Sequence, residues 1–193
     1  MQSSITWREF LRQTLTLALP IAFQQLMLAL SSCADTLMLT NVGQNELSAV
    51  SLATQFQFIF SLCLAALTLG MSILVAQYWG AGNTNAVERV LAFIMLYAGG
   101  LSLVFFALTL LIPETLMSIM TLIAIGSQYL RVSSVSYLFI GLSQMYLCLM
   151  KNVGAAVTGM TVSTVGVIVH VALNAVLIYG WFGLPALGIF GAA

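Results

Sequence analysis

One carboxylate, one imidazole and one carboxamide stand in stretches otherwise fit for hydrocarbon: Asp35 in "ALSSCADTLML", and His170 and Asn174 in "GVIVHVALNAVL". A charge at mid-membrane costs about 2.5–3.5 kcal/mol on insertion scales, so such an acid normally faces a bundle interior or a watery cavity. The neighbours of Asp35 support an inward face. Gln24 lies three helical turns earlier at nearly the same angle, and Ser31 and Ser32 lie one turn back, so together they form a polar stripe. In "TGMTVSTVGVIVHVALNAVLIYG", Gly159, Ser163, Gly166, His170 and Asn174 recur at spacings of four, three, four and four, which also places them on one helix face. An acid and an imidazole on inward faces suit the handling of a proton or a substrate. Pro20 frees a backbone carbonyl further up the first stripe and marks a place where that helix can bend.

Each feature also has a plainer reading. Asp35 stands about four residues, roughly 6 Å, from the expected end of its span, where headgroup water could hydrate it. Gly159, Ser163 and Gly166 suit close helix packing, and a neutral His170 is satisfied by a single hydrogen bond. No second His or Cys stands at ligand spacing, so no metal site is expected. There is no phosphate-binding glycine loop with a following Lys, and no Ser–His–Asp order, so the chain is not read as an enzyme and needs no cofactor.

The elements that position these residues follow from composition. Hydrophobic residues make up 61% of 193 and charged residues 5%, against about 25% charged in a soluble domain. Five basic and five acidic residues cancel, which leaves no basic surface for nucleic acid. The partner is the lipid bilayer. Cys33, Cys63 and Cys148 are odd in number, lie in apolar stretches and read as packing residues. Most of the ten methionines read as substitutes for Leu against lipid.

Charge-free runs long enough to cross a membrane predict five helices, at about 14–38, 49–76, 90–112, 132–150 and 160–182. The fold class is therefore an all-α integral membrane bundle, a single domain over 1–193, with a sixth span beginning at the last residues. "PETLMSIMTLIAIGSQYLR" is too short in its apolar run to span and is expected to form an interfacial helix with a turn at Gly126. "TNVGQNE", "YWGAGNTNAVER", "KNVGAAVTG" and "GWFGLPALG" carry turn chemistry. The amino terminus, with Arg8, Glu9 and Arg12, reads as the start of a retained first span rather than a removed signal. Placing it in the cytoplasm puts Arg8, Arg12, Arg89 and Lys151 inside and only Arg131 outside. Trp7, Tyr78, Trp79, Tyr129, Tyr179 and Trp181 fall near span ends, where they anchor the bundle.

The other spans add polar groups. The fourth carries Ser133, Tyr137, Gly141, Gln144 and Cys148 at helical spacing, and the second carries Ser51 and Gln55 one turn apart. The third, interrupted only by Tyr97, Gly99, Gly100 and Ser102, reads as lipid-facing. Four striped helices predict a polar-lined cavity of the kind transporters use.

The stretches "ALPIAFQQLMLALSSCADTLMLTNVGQNELSAVSLATQ", "LVAQYWGAGN", "QYLRVSSVSY" and "NAVLIYGWFGLPALGIFGAA" resemble the multidrug and toxic compound extrusion (MATE) transporters, in that family's order and over nearly the whole chain. The resemblance implies twelve helices in two lobes in the family, and export of organic cations or drugs in exchange for protons or sodium ions across the inner (plasma) membrane. It puts Asp35 at the first-helix acid that takes part in cation coupling, and His170 and Asn174 on the fifth-helix face of the amino-terminal cavity. Tyr137 matches a hydroxyl-bearing cavity residue of the fourth helix. One branch of the family has an Asp where Asn174 stands, and Asn is usual at the His170 position, so proton coupling is favoured over a sodium cage. The chain would supply five helices of the first lobe and lack the carboxy-terminal lobe, its natural partner. Two other readings stand beside this one: a non-transporting remnant or assembly module, and a lipid-linked oligosaccharide flippase of a related superfamily. The flippase ranks lower because no Arg or Lys stands inside a span.

Overall fold

The computed structural model describes residues 6–40, 44–118, 123–180, 188 and 191. Six helices follow one another in these segments: α1 (Trp7–Thr40), α2 (Gln44–Gly80), α3 (Thr84–Leu111), α4 (Pro113–Ser118), α5 (Ile123–Asn152) and α6 (Ala156–Tyr179). All but α4 are long and apolar enough to cross a membrane. Helices are the form that satisfies every backbone N–H and C=O within one segment when no water is at hand.

The ends carry their own chemistry. Thr6 caps α1, its backbone N–H and hydroxyl both donating to Glu9 Oε2, at 3.0 and 2.7 Å. Asn83 caps α3 by accepting from the Ala86 N–H at 3.1 Å. Gly82 and Gly154 turn the chain between α2 and α3 and between α5 and α6 at φ of 71° and 83°, where a side chain would be strained. α1 continues through Pro20, whose missing N–H leaves the Thr16 carbonyl without its helical partner.

The bundle has two parts. α2, α3 and α5 share an apolar core of Phe60, Leu64, Met71, Val75, Val87, Ala98, Tyr137, Met145, Cys148 and Leu149. α1 packs chiefly against α6, and this pair meets α2 and α5 more sparsely. α3 fits its expected role, exposing Phe93, Leu96, Tyr97, Leu103 and Leu111 while burying Ala98 and Ser102 against its neighbours.

One expected turn is absent. α5 begins at Ile123 and runs straight through Gly126. Gly126 sits close to α4 rather than at a turn: a Cβ there would meet the Cε of Met117, the far end of a flexible side chain that would have to shift. The interfacial helix is correspondingly short, and Arg131 of α5 ties it down through a 3.1 Å bond to Glu114 Oε1. Trp181, most of "GWFGLPALG", residues 41–43 of "TNVGQNE" and the expected sixth span lie outside the described residues.

Candidate functional site

The polar stripes of α1 and α6 meet side by side. Gln24 Nε2 donates to Ser163 Oγ at 2.6 Å, Ser31 Oγ lies 3.1 Å from His170 Nδ1, and Asn174 Nδ2 donates to Asp35 Oδ1 at 2.9 Å. All three pairs are 139 positions apart in sequence. A constant offset means that α1 and α6 run parallel without slipping in register. Steps of seven and then four residues on both helices are those of a parallel coiled-coil seam, here with hydrogen-bonding side chains at three layers.

The seam has buried members at both ends and an open side. Gln24 and Asn174 are buried, whereas the side chains of Asp35 and His170 keep 30% and 46% of their surface. Asp35 Oδ1 also stands 3.9 Å from His170 Nδ1, and Asn174 Nδ2 stands 3.3 Å from His170 Nε2. The three residues therefore form one network. Asp35 is fixed by an amide, not merely hydrated at a helix end.

The open side faces a cavity of about 700 Å³ at the junction of the α1–α6 pair with α2 and α5. α1 contributes Ser31, Ser32, Asp35 and Thr36, α2 contributes Ser51, Thr54, Gln57 and Ser61, α5 contributes Tyr129, Ser133 and Ser136, and α6 contributes His170. A smaller cavity of about 180 Å³ adjoins it through Ser61 and Ile140 and reaches Thr68 and Gln144. Sparse packing between the two parts of the bundle leaves this space. Among the described residues no group of three or more His, Cys, Asp or Glu could hold a metal ion.

Three expected lining residues stand off the cavity wall, the first being Asn174, which is buried behind it and reaches it only through its bond to Asp35. Tyr137 is buried in the α2–α3–α5 core, its ring edge-on to Phe60 at 5.1 Å and beside Phe105 at 6.1 Å. Its aromatic body finds a better-packed place there than at a wet wall. Gln55 is exposed outside the cavity, because the wetted face of α2 turns from Ser51 through Thr54 toward Val50 and Gln57, leaving Gln55 on the opposite shoulder. Gln57 takes that part instead. Tyr129 lines the cavity although its position near a span end read as a membrane anchor. The α5 stripe also divides: Ser133 meets the large cavity, Gly141 packs against Ser102 of α3, Gln144 meets the small cavity, and Cys148 is buried beside Ser72 and Asn152.

The MatE family model matches residues 20–176. A probable multidrug resistance protein NorM of Rhizobium meliloti is 30% identical over the whole of this chain and 42% of its own length. A probable NorM of Thermotoga maritima is 25% identical over 96% of the chain and 41% of its own length, and the multidrug resistance protein MdtK of Edwardsiella ictaluri is 28% identical over the same shares. The chain thus spans about two-fifths of the length of these relatives. A MATE-family multidrug resistance transporter of the MOP superfamily, solved in an outward-facing conformation, superposes with a TM-score of 0.82 at 21% identity, covering 93% of this chain and 40% of that one. A MATE structure in complex with Br-NRF gives a TM-score of 0.80 at the same identity, covering 93% of this chain and 41% of that one. At that identity the likeness is one of fold.

Proposed function

The chain belongs to the MatE family, and from that premise we propose that it supplies the cation-coupling cavity of a multi-pass secondary efflux transporter. The observation that carries this reading is Asp35, the chain's single aspartate, on the wall of a polar cavity of about 700 Å³. Ligand pockets for drug-sized molecules run from about 300 to 1,000 Å³, so an organic cation or drug of that size fits. The ionised carboxylate attracts the cation; a proton arriving from the opposite side of the membrane neutralises it and lets the cation leave. Binding of proton and cation must differ between the two access states, or no coupling follows.

A proton suits the site better than a sodium ion. Asp35 is partnered by an amide N–H and an imidazole nitrogen, neither of them an oxygen ligand of the kind a sodium ion takes. Helix alternation puts Arg8, Arg12, Arg89 and Lys151 on one face of the membrane and Arg131 on the other, which supports a cytoplasmic amino terminus by the positive-inside bias. Binding and release take place without covalent chemistry.

The test is counterflow. Vesicles holding the complete transporter that bears this chain should move protons outward when an organic cation is added and acidify a trapped dye when it is removed. Asp35→Asn should abolish that coupling. Proton movement that persists unchanged in Asp35→Asn would remove Asp35 from the mechanism.

A further inference from the structure

The groove between α2 and α5 does not stop at the large cavity. Past Ser61 and Ile140, which both cavities share, it continues toward the carboxy-terminal ends of these two helices as the smaller space of about 180 Å³, walled by Leu64, Ala65, Thr68 and Gln144. Beyond it, Ser72 of α2 meets Cys148 Sγ and Asn152 Nδ2 of α5 at 3.3 and 3.0 Å, so the two helices close together there. The hydroxyls of the small cavity have their hydrogens committed already. Ser61 Oγ donates to the Gln57 carbonyl at 2.8 Å and Thr68 Oγ1 to the Ala65 carbonyl at 2.9 Å, so each offers the cavity lone pairs only. Gln144 brings both an amino group and a carbonyl oxygen, and among the described residues none bonds either.

Packing does not account for a carboxamide at this place. The Gln144 side chain is exposed and fills no gap in the apolar core. It lies about 8 Å along α5 from the middle of the span Gly126–Asn152, inside the hydrocarbon half-thickness of about 15 Å. An unbonded amide at that depth is costly against lipid, so it belongs to a face that water or a polar ligand reaches. Its position along the helix also sets the length of such a ligand. Ser136 and Ser133, on the large cavity, precede Gln144 on the same helix by about 12 and about 16 Å.

Resting on the cation-binding reading above, we propose that the small cavity is a tail subsite: it takes the hydroxyl- or amide-bearing end of an elongated amphipathic cation whose charged head lies near Asp35, and Gln144 selects for that end. The substrate class narrows to ions that carry the charge and a hydrogen-bonding group about 12–16 Å apart on an apolar body. A terminal hydroxyl fits the groups present, donating to Ser61 Oγ, Thr68 Oγ1 or Gln144 Oε1 and accepting from Gln144 Nε2. The apolar body lies along Leu64, Ala65 and Ile140. A compact cation occupies the large cavity alone and does not meet Gln144.

Two quaternary ions that differ only at the far end test this: decyltrimethylammonium and its analogue with a terminal hydroxyl, with tetraphenylphosphonium as the compact control. Equilibrium binding to the chain in lipid nanodiscs, corrected for uptake by empty discs, gives the ratio of the two decyl affinities. Gln144→Leu should lower the affinity of the hydroxyl ion relative to its methyl-ended partner roughly fivefold to tenfold and leave tetraphenylphosphonium unchanged. Thr68→Val, which keeps the shape of the wall, should lower the ratio by a smaller factor. A hydroxyl on a butyl chain, too short to reach, should show no dependence on Gln144. An unchanged ratio in Gln144→Leu overturns the proposal, and so does an equal loss for all three ions, which would mean that the residue acts through the fold. In the complete transporter that bears this chain the dependence on Gln144 should persist; its disappearance there would assign Gln144 to contact with the other half and overturn the subsite. Failure of the reading beneath is a separate result: if Asp35→Asn leaves the affinity of every ion unchanged, the charged head lies elsewhere, whatever Gln144 does to the tail.

Discussion

Asp35 accepts from a neutral amide, with the nearest imidazole nitrogen a further ångström away, so its negative charge is held in place without being neutralised by a fixed cation. That is what an exchange site for a mobile cation needs. A permanent Arg or Lys partner would compete with the ligand, and among the described residues none lines the cavity. Asp35→Asn keeps the shape of the side chain and still offers an oxygen to Asn174 Nδ2, so the fold should persist. What disappears is the charge. A hydrogen-bonded or charged contact of this kind is worth about 1.5–3 kcal/mol, so affinity for tetraphenylphosphonium should fall roughly tenfold to a hundredfold. Equilibrium binding to the chain in nanodiscs, by fluorescence displacement or calorimetry, measures it. Unchanged affinity would mean that the cation sits away from Asp35.

Where α3 crosses α5, a different economy of space applies. A Cβ built on Gly141 would overlap Ser102 Oγ, while Ser102 Cβ and the Ala98 carbonyl would stand at 3.3 and 3.4 Å. Among the described residues, Ser102 Oγ is the buried side-chain polar atom without a hydrogen-bond partner. Gly141→Ala should therefore destabilise the bundle by about 1–3 kcal/mol through overpacking. Ser102→Ala alone should be neutral or mildly stabilising, since it removes an unsatisfied hydroxyl, and combined with Gly141→Ala it should recover most of the loss. Unfolding in SDS mixed micelles, followed by circular dichroism as a double-mutant cycle, gives the coupling directly; strictly additive effects would show that the two residues do not share this space. The same crossing explains which parts of the molecule sequence alone makes legible. Five long charge-free runs announce five spanning helices because lipid leaves the backbone no other partner, and the stripes of α1 and α6 are visible because one helix period fixes the spacing of Asp35, His170 and Asn174. Rotation of α2 is not local information. It is set by Phe60, Leu64, Met71 and Val75 packing onto other helices, and that rotation decides for Gln57 over Gln55. Tyr137 and Tyr129 look alike in a stripe, yet the rings of Phe60 and Phe105 draw the first into the core and leave the second on the cavity wall. Nothing in the sequence marks that Gly126, expected at a turn, and Gly141, expected on a polar stripe, each lie where another helix approaches closely.

At the scale of the molecule, the cavity has walls on four helices but the chain spans about two-fifths of its relatives. Alternating access requires one half to rock against another around a shared site. The α1–α6 pair is suited to move as a unit, because three layers of side-chain bonds hold its register while its contacts to α2 and α5 are sparse. A unit that moves still needs a second body to expose the site alternately to either side. The chain by itself should therefore bind an organic cation in detergent or nanodiscs, through Asp35, and fail to accumulate or exchange it across a vesicle membrane. Supplying a complementary carboxy-terminal half on a separate polypeptide should restore counterflow, and the restored flux should vanish in Asp35→Asn. Radiolabelled cation counterflow in vesicles with and without that second half separates the outcomes. Sustained counterflow by the chain alone, abolished by Asp35→Asn and rising with the square of its concentration, would show instead that two copies of this chain provide both halves.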